Sequence, residues 1–409
     1  MAAGRRSVAF LLGMSVYNLG INYVWISYNS LVLPLQIGSL VSKQDEALVL
    51  GVIAGVSVAL GVFVNILSGV MSDSVKLWWG RRRSYILLGA VLCCATLLLP
   101  VILALALSVA IVSFLLMQIF TNLSSGSYQP LLPDLIQEHQ RGMTSGFQGM
   151  MTLAGSAMGY GLTGYLLGSG YTSIALIPMS AAFLLTTLVT VTTIRNSDAP
   201  VPVSAIKVKQ AVLEMFRPRT IVRDFLWLTL GSFLILMGSG GLTFFEVYYF
   251  QTVLKISSPA TLVGEAGIVI LLVAVISAVL FGFASDKVGR RNLIIGAGFV
   301  AGAATFFVPF VTSFAVFLFV ACFVGGSLGI FNSVVFALAS DLSPKQETGK
   351  YMSYYNVAVG GAGAVAPLVD GIMLYLFGTT NVTAFVAMFG LSSILYLAGA
   401  SLLFKVPKR

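Results

Sequence analysis

Long apolar runs separated by short polar breaks dominate the chain from residue 8 to residue 404. A helix needs about 20 apolar residues to cross the hydrocarbon layer of a bilayer. Twelve runs reach that length, at 8–36, 47–72, 84–106, 108–136, 142–168, 171–194, 224–253, 260–284, 291–312, 314–341, 349–376 and 380–404. Backbone groups in lipid have no water to bond, and only helices satisfy them locally, so the runs predict an all-α membrane protein with twelve spanning helices. Arg5 and Arg6 precede the first run, but an apolar stretch from 8 to 35 is too long for the core of a signal peptide and reads as the first span. Glycines in the fifth span, from Gly142 to Gly168, and in the eleventh, at Gly360, Gly361 and Gly363, suit close helix packing. The one long polar stretch, 195–223, contains Pro200, Pro202 and Pro218 and a short amphipathic piece over 205–216. It divides the spans six and six. This predicts a bundle at 1–194, a linker at 195–223 and a second bundle at 224–409.

Composition agrees with this division. Of the 409 residues, 58% are hydrophobic and 9% charged, against about 25% charged in soluble proteins. The apolar excess has to face lipid. The net charge of +9 follows from topology. With the N-terminus in the cytoplasm and each span changing side, every Lys and Arg except Lys43 and Lys255 falls on the cytoplasmic face, as the positive-inside rule expects. Both termini of this multi-pass protein are therefore expected at the cytoplasmic face of the cell membrane, and nucleic-acid binding is not needed to explain the charge. Cys93, Cys94 and Cys322 lie inside apolar runs with no metal or redox spacing, and the only histidine, His139, lies in a polar loop. No cofactor, no metal and no enzymatic centre is expected.

The two halves echo each other. After the second span comes Gly69-Val-Met-Ser-Asp73 and then Gly80-Arg81-Arg82-Arg83; after the eighth comes Gly282-Phe-Ala-Ser-Asp286-Lys287-Val-Gly289-Arg290-Arg291. Asp134 ends the fourth span eight residues before Gly142, and Asp341 ends the tenth eight residues before Gly349. Duplicated membrane halves of this kind move against each other in secondary transporters. The Gly282–Arg291 stretch resembles the loop motif of the major facilitator superfamily at every fixed position. The resemblance, which covers the whole chain, implies two pseudo-symmetric six-helix bundles. It also implies loop ion pairs that break and remake as the halves rock, drawn from Asp73, Arg81, Arg82, Asp134, Asp286, Arg290, Arg291 and Asp341.

A narrower resemblance covers about the first 150 residues. Ser72-Asp73, six residues and Gly80-Arg-Arg-Arg-Ser-Tyr85, with Trp25 nine residues before Pro34 and Asn122 four before Gly126, is similar to the sucrose:proton carriers and their glycoside–pentoside–hexuronide relatives. Those carriers hold an acidic residue in the fourth span where this chain has Gln118, which cannot take up a proton.

The superfamily resemblance implies that spans 1, 4, 7 and 10 line a cavity. Their polar residues are then the substrate candidates: Asn18, Asn22, Trp25, Tyr28 and Asn29; Gln118 and Asn122; Tyr248 and Tyr249; and Asn332. Amides pair with hydroxyl groups and aromatic rings stack on apolar sugar faces; buried amides also hold membrane helices together. Intramembrane acids are costly and functional by default. Glu246, Glu265 and Asp370 each lie roughly 30 Å along their helices from the cytoplasmic end. Glu246 follows Gly240-Gly241 on a cavity helix and is the first candidate for a coupling proton, with Asp370 second. No Lys or Arg stands mid-span, which disfavours anionic substrates. The chain is expected to import a neutral sugar or glycoside by proton symport, working as a monomer in the bilayer. The alternative is a proton-coupled exporter of drugs or other amphipathic neutral or cationic compounds, although the Gly-rich fifth span lacks the Gly-Pro pair usual in such exporters of the superfamily.

Overall fold

The computed structural model describes residues 6–74, 77, 79–194, 222–344 and 347–407; the linker, with its amphipathic piece at 205–216, lies outside them. Eleven helices among the described residues are long and apolar enough to cross a membrane. They are α1 (Val8–Leu40), α2 (Glu46–Ser72), α3 (Arg82–Ile102), α4 (Leu107–Leu135), α6 (Thr172–Thr193), α7 (Arg223–Thr252), α8 (Ala260–Ser285), α9 (Arg290–Phe310), α10 (Phe314–Leu342), α11 (Tyr351–Phe377) and α12 (Val382–Lys405). Between α4 and α6 runs α5, built from Glu138–Met158, a π-helical turn Gly159–Thr163 and Gly164–Gly168. Its glycines and polar side chains leave it less apolar than the others, and small residues are what close helix packing requires. The observed helices thus coincide with the twelve expected spans to within a few residues at each end.

The described residues of Met1–Gln36 and Ser57–Glu214 form one compact unit, and those of Ile37–Val56 and Met215–Arg409 form a second. In the first unit α1 packs on α5 and α6, and α3 on α4 and α6. In the second, α10 packs on α8 and α9, while α12 packs on α7 and α9. The start of α2 belongs to this second unit because glycines let it approach α11: a Cβ on Gly55 would lie 2.7 Å from the Ala364 carbonyl, and one on Gly51 2.5 Å from that of Pro367.

The duplication is visible in packing as well as in sequence. Gly61 and Asn122 stand twelve residues before Asp73 and Asp134; Ala274 and Gly329 stand twelve before Asp286 and Asp341. In the first unit Asn122 fills the space over Gly61, 2.6 Å from where a Cβ would be. In the second, Gly329 lies against the Ala274 backbone, and a Cβ there would overlap the Ala274 carbonyl. The small residue has changed sides of the same helix crossing. Gly329→Ala is expected to cost about 1–3 kcal/mol through overpacking, read as a lower thermal unfolding midpoint in detergent. Gly146→Ala, whose Cβ meets nothing within 4 Å, is expected to leave the midpoint unchanged or higher. Equal losses at both positions would mean that the close approach does not limit stability.

Candidate functional site

Local chain chemistry sets the geometry of α1. Pro34 has no N–H for the carbonyl one turn back, and the helix widens just before it into a π turn, Ser27–Val32, in which the Leu33 N–H bonds the Tyr28 carbonyl. Such turns insert one extra residue into a helix and occur often at functional sites. This one faces the π turn of α5: Ser27 Oγ is 2.9 Å from Thr163 Oγ1, and Ser30 Oγ bonds the Tyr160 hydroxyl at 3.4 Å.

Tyr28 and Asn29 both stand in the wide turn, yet they differ. Tyr28 is fully buried, its ring stacked on Phe114 at 5.6 Å and its hydroxyl donating to Gln36 Oε1 at 3.4 Å. Asn29 is half-buried, and its side-chain carbonyl finds no donor. One turn below, Trp25 is half-buried and its indole N–H donates to Thr121 Oγ1 at 3.3 Å. Asn22 donates to the Asn18 carbonyl at 2.8 Å and to Thr152 Oγ1 at 3.4 Å. Asn18 donates to the Tyr128 hydroxyl at 2.9 Å, which also receives Gln148 at 2.9 Å and itself donates to the Met14 carbonyl at 3.0 Å. Tyr128 stacks on Tyr17, with ring centroids 4.2 Å apart. A polar network thus joins α1, α4 and α5. Sequence reasoning missed Tyr128, Gln148 and Thr152, although the i, i+4 spacing of Gln148 and Thr152 on a Gly-rich span was a usable signal. Gln118 is buried at 4% exposure, and Asn122 is tied to the Gln118 carbonyl at 2.9 Å and to Asn65 at 3.4 Å.

In the second unit α7 breaks where Gly240 and Gly241 meet, leaving Arg223–Gly240 and Leu242–Thr252 as two pieces. Asp370 of α11 occupies the gap, and a Cβ on Gly241 would overlap its Oδ2. The side chain is 2% exposed and that oxygen has no hydrogen-bond partner. A carboxyl in such a place must take up a proton or a cation, or meet a counter-charge, since an uncompensated buried charge is very costly. Glu246, on the second piece of α7, is half-buried and finds no partner among the described residues. Tyr248 is buried beside Gly38, with the Lys43–Glu46 ion pair (2.8 Å) at the same spot. Tyr249 packs among Phe317, Phe385 and Phe389 and donates to the Val308 carbonyl at 2.9 Å. Asn332 is exposed on α10.

Each unit carries an ion pair at the end where its basic loop lies. Arg82 bonds Asp134 at 2.6 Å, and Arg290 bonds Asp341 at 2.6 Å. Arg291 turns elsewhere: it is buried and donates to the Leu403 and Phe404 carbonyls at 2.9 and 2.7 Å, capping the end of α12. Arg81 adjoins the first pair at the start of α3; the side chains of Asp73 and Asp286 lie outside the described set.

Comparison with known proteins places this geometry. A profile of the Major Facilitator Superfamily matches residues 7–278 and 258–409. An uncharacterised MFS-type transporter of Methanocaldococcus jannaschii is 28% identical over 97 residues, about a quarter of either chain (24% of this one, 25% of the other). Solved structures share the fold at low identity. A bacterial homolog of the human lysosomal transporter Spinster, inward-facing and unoccupied, has a TM-score of 0.74 at 15% identity over 98% of both chains. A D-xylose–proton symporter has 0.72 at 16% over 98% of both. A POT peptide transporter in complex with alafosfalin has 0.76 at 16%, covering 97% of this chain and 93% of the other. Duplicated helix bundles, paired loop arginines and a family match along nearly the whole length converge: the chain is a multi-pass membrane transporter belonging to the major facilitator superfamily.

Proposed function

We propose that this transporter moves a neutral sugar or glycoside by alternating access, as a proton symporter with both termini in the cytoplasm. The observation that carries this reading is the pairing of a buried, unpartnered carboxyl at Asp370 with a substrate-facing set that holds amides and an indole but no fixed cation. Among the described residues every Lys and Arg stands at or near a helix end, so a charged phosphate or carboxylate ligand would find no counter-charge mid-helix. Asn22, Trp25 and Asn29 stand on successive turns of α1, half-buried; the Asn29 carbonyl oxygen is itself enclosed and unsatisfied, an acceptor that an opening of this face would offer to a hydroxyl. Gln118 and Asn122 back this face from α4, and Asn332 and Tyr248 are the counterpart in the second unit. Tyr28 and Tyr249 position their neighbours through packing. Asp370 carries the coupling proton, with Glu246 as its exchange partner. The Arg82–Asp134 and Arg290–Asp341 pairs act as the latch, with Asp73, Arg81 and Asp286 completing the two loops.

The test is reconstitution in proteoliposomes with an imposed pH gradient and labelled sucrose, maltose or monosaccharides. Accumulation of at least one sugar is expected, and Trp25→Ala is expected to raise its half-saturation concentration about tenfold through loss of ring stacking. No accumulation of any sugar, together with ethidium efflux, would replace this reading with the amphipathic exporter.

A further inference from the structure

Two further orphaned oxygens stand beside the carboxyl that fills the break in α7, all within the second unit. Ser392 and Tyr396, one turn apart on α12, are both 0% exposed, and neither hydroxyl has a hydrogen-bond partner. Both residues pack on Gly238: a Cβ there would lie 2.8 Å from the Ser392 carbonyl and 2.9 Å from the Tyr396 ring. Asp370 packs on Gly241, three residues further along α7, and positions three apart share one face of a helix. The Tyr396 hydroxyl comes near Ser239 and the Asp370 carboxyl without forming a hydrogen bond of normal geometry to either. Three buried oxygens from α11 and α12, none of them satisfied, thus border one turn of α7.

The backbone adds a negative pole. The first piece of α7 ends at Gly240, and the Phe244 N–H reaches back three residues instead of four, to the Gly241 carbonyl at 3.1 Å. The last carbonyls of a helix lie outside its own ladder and carry the negative end of its dipole. Carboxylate, hydroxyls and carbonyls are all hard oxygen donors, and among the described residues no Lys, Arg or His stands mid-helix to answer them. A proton satisfies the carboxyl alone, whereas a metal cation draws on every oxygen together. One carboxylate suits one positive charge, since protein calcium sites gather several carboxylates. The close packing at Gly238 and Gly241 favours a small ion.

We propose that the break in α7 is a sodium site, in which Asp370, Ser392, Tyr396 and carbonyls at the end of the first α7 piece hold one ion in competition with the coupling proton. Discontinuous helices hold ions in this way in other secondary transporters. The competition rests on the reading of Asp370 as the proton carrier; the site itself does not. Around Asp370 the other titratable groups are Glu246, Tyr248 and Tyr249 on the second piece of α7, Tyr396 on α12, and Glu46 of α2, which Lys43 holds in an ion pair.

The test is equilibrium binding of radiolabelled sodium to the purified full-length protein in nanodiscs, with choline holding the ionic strength constant. One saturable site per chain is expected, displaced by unlabelled sodium and far less by potassium. Lowering the pH is expected to weaken binding, because a protonated carboxyl is no ligand. Asp370→Asn is expected to abolish it. Ser392→Ala and Tyr396→Phe, which keep the packing on Gly238, are each expected to weaken it about tenfold, the effect of losing one contact to a charged group. Sodium is also expected to raise the unfolding midpoint of the wild type, by binding linkage, and to leave that of Asp370→Asn where it is. No saturable binding, binding that survives Asp370→Asn, unchanged affinity in both hydroxyl variants, equal displacement by potassium, or indifference to pH would each overturn the proposal. Proton-driven sugar accumulation without sodium binding would remove this site alone; sodium binding without accumulation of any sugar would keep the site and remove the transport reading.

Discussion

Asp370→Asn is expected to abolish uphill accumulation of substrate while downhill exchange continues. Asparagine keeps the shape that fills the break in α7 beside Gly241 but removes the carboxyl that can take up and release a proton. A proton moving down about 100 mV supplies about 2.3 kcal/mol, enough for roughly a 50-fold substrate gradient. The variant should therefore lower the steady-state ratio from that order towards unity, measured in vesicles with an imposed potential and pH step. Glu246→Gln is the paired experiment. If it collapses accumulation while Asp370→Asn does not, the proton site moves to α7. If both variants still concentrate substrate, coupling does not run through these acids at all.

Loss of a loop ion pair is expected to slow turnover without unfolding the protein. Asp134 and Asp341 are 43% and 42% exposed in their pairs, and exposed pairs contribute only about 0–1 kcal/mol to stability. Their weight falls on the equilibrium between conformations. A pair present in one state and broken in the other biases that equilibrium, and about 1 kcal/mol of bias shifts the ratio of states about fivefold. Asp341→Asn should then reduce the maximal rate by up to about fivefold with little change in the unfolding midpoint. The double variant Asp134→Asn with Asp341→Asn should approach the product of the two losses if the pairs act independently. Exchanging the charges, Arg290→Asp with Asp341→Arg, should restore much of the rate. An unaltered rate in the double variant would show that neither pair gates the cycle.

The helices were legible because apolar length is a direct consequence of bilayer thickness, and Asp134 and Asp341 marked the ends of spans. The duplicated loops were legible for a different reason: the same residue types recur at matched spacings, Gly69 to Asp73 against Gly282 to Asp286 and Asp134 against Asp341. Partner choice was not legible. Arg291 fits the loop motif yet bonds the end of α12, a contact made across more than a hundred residues. Tyr249 and Glu246 are three residues apart on one helix, but one hydroxyl is held by Val308 and the other side chain by nothing described. Spacing puts residues on a helix; only tertiary packing decides which buried polar atoms are already satisfied. The gap at Gly241 shows the same limit. The glycine pair stands in the sequence, whereas the acid that fills the break comes from a helix four spans later.

The wide turns in α1 and α5 alter how each rod is indexed. An α-helix advances its side chains by about 100° per residue, so one residue inserted at Ser27–Val32 swings everything after it by that angle relative to everything before. The stripe through Asn18, Asn22 and Trp25 therefore does not continue in straight register into the Pro34 end of the rod. The two halves of α1 present different flanks, offset like keys cut on one shaft, and α5 carries its matching offset at the same level, where Ser27 meets Thr163.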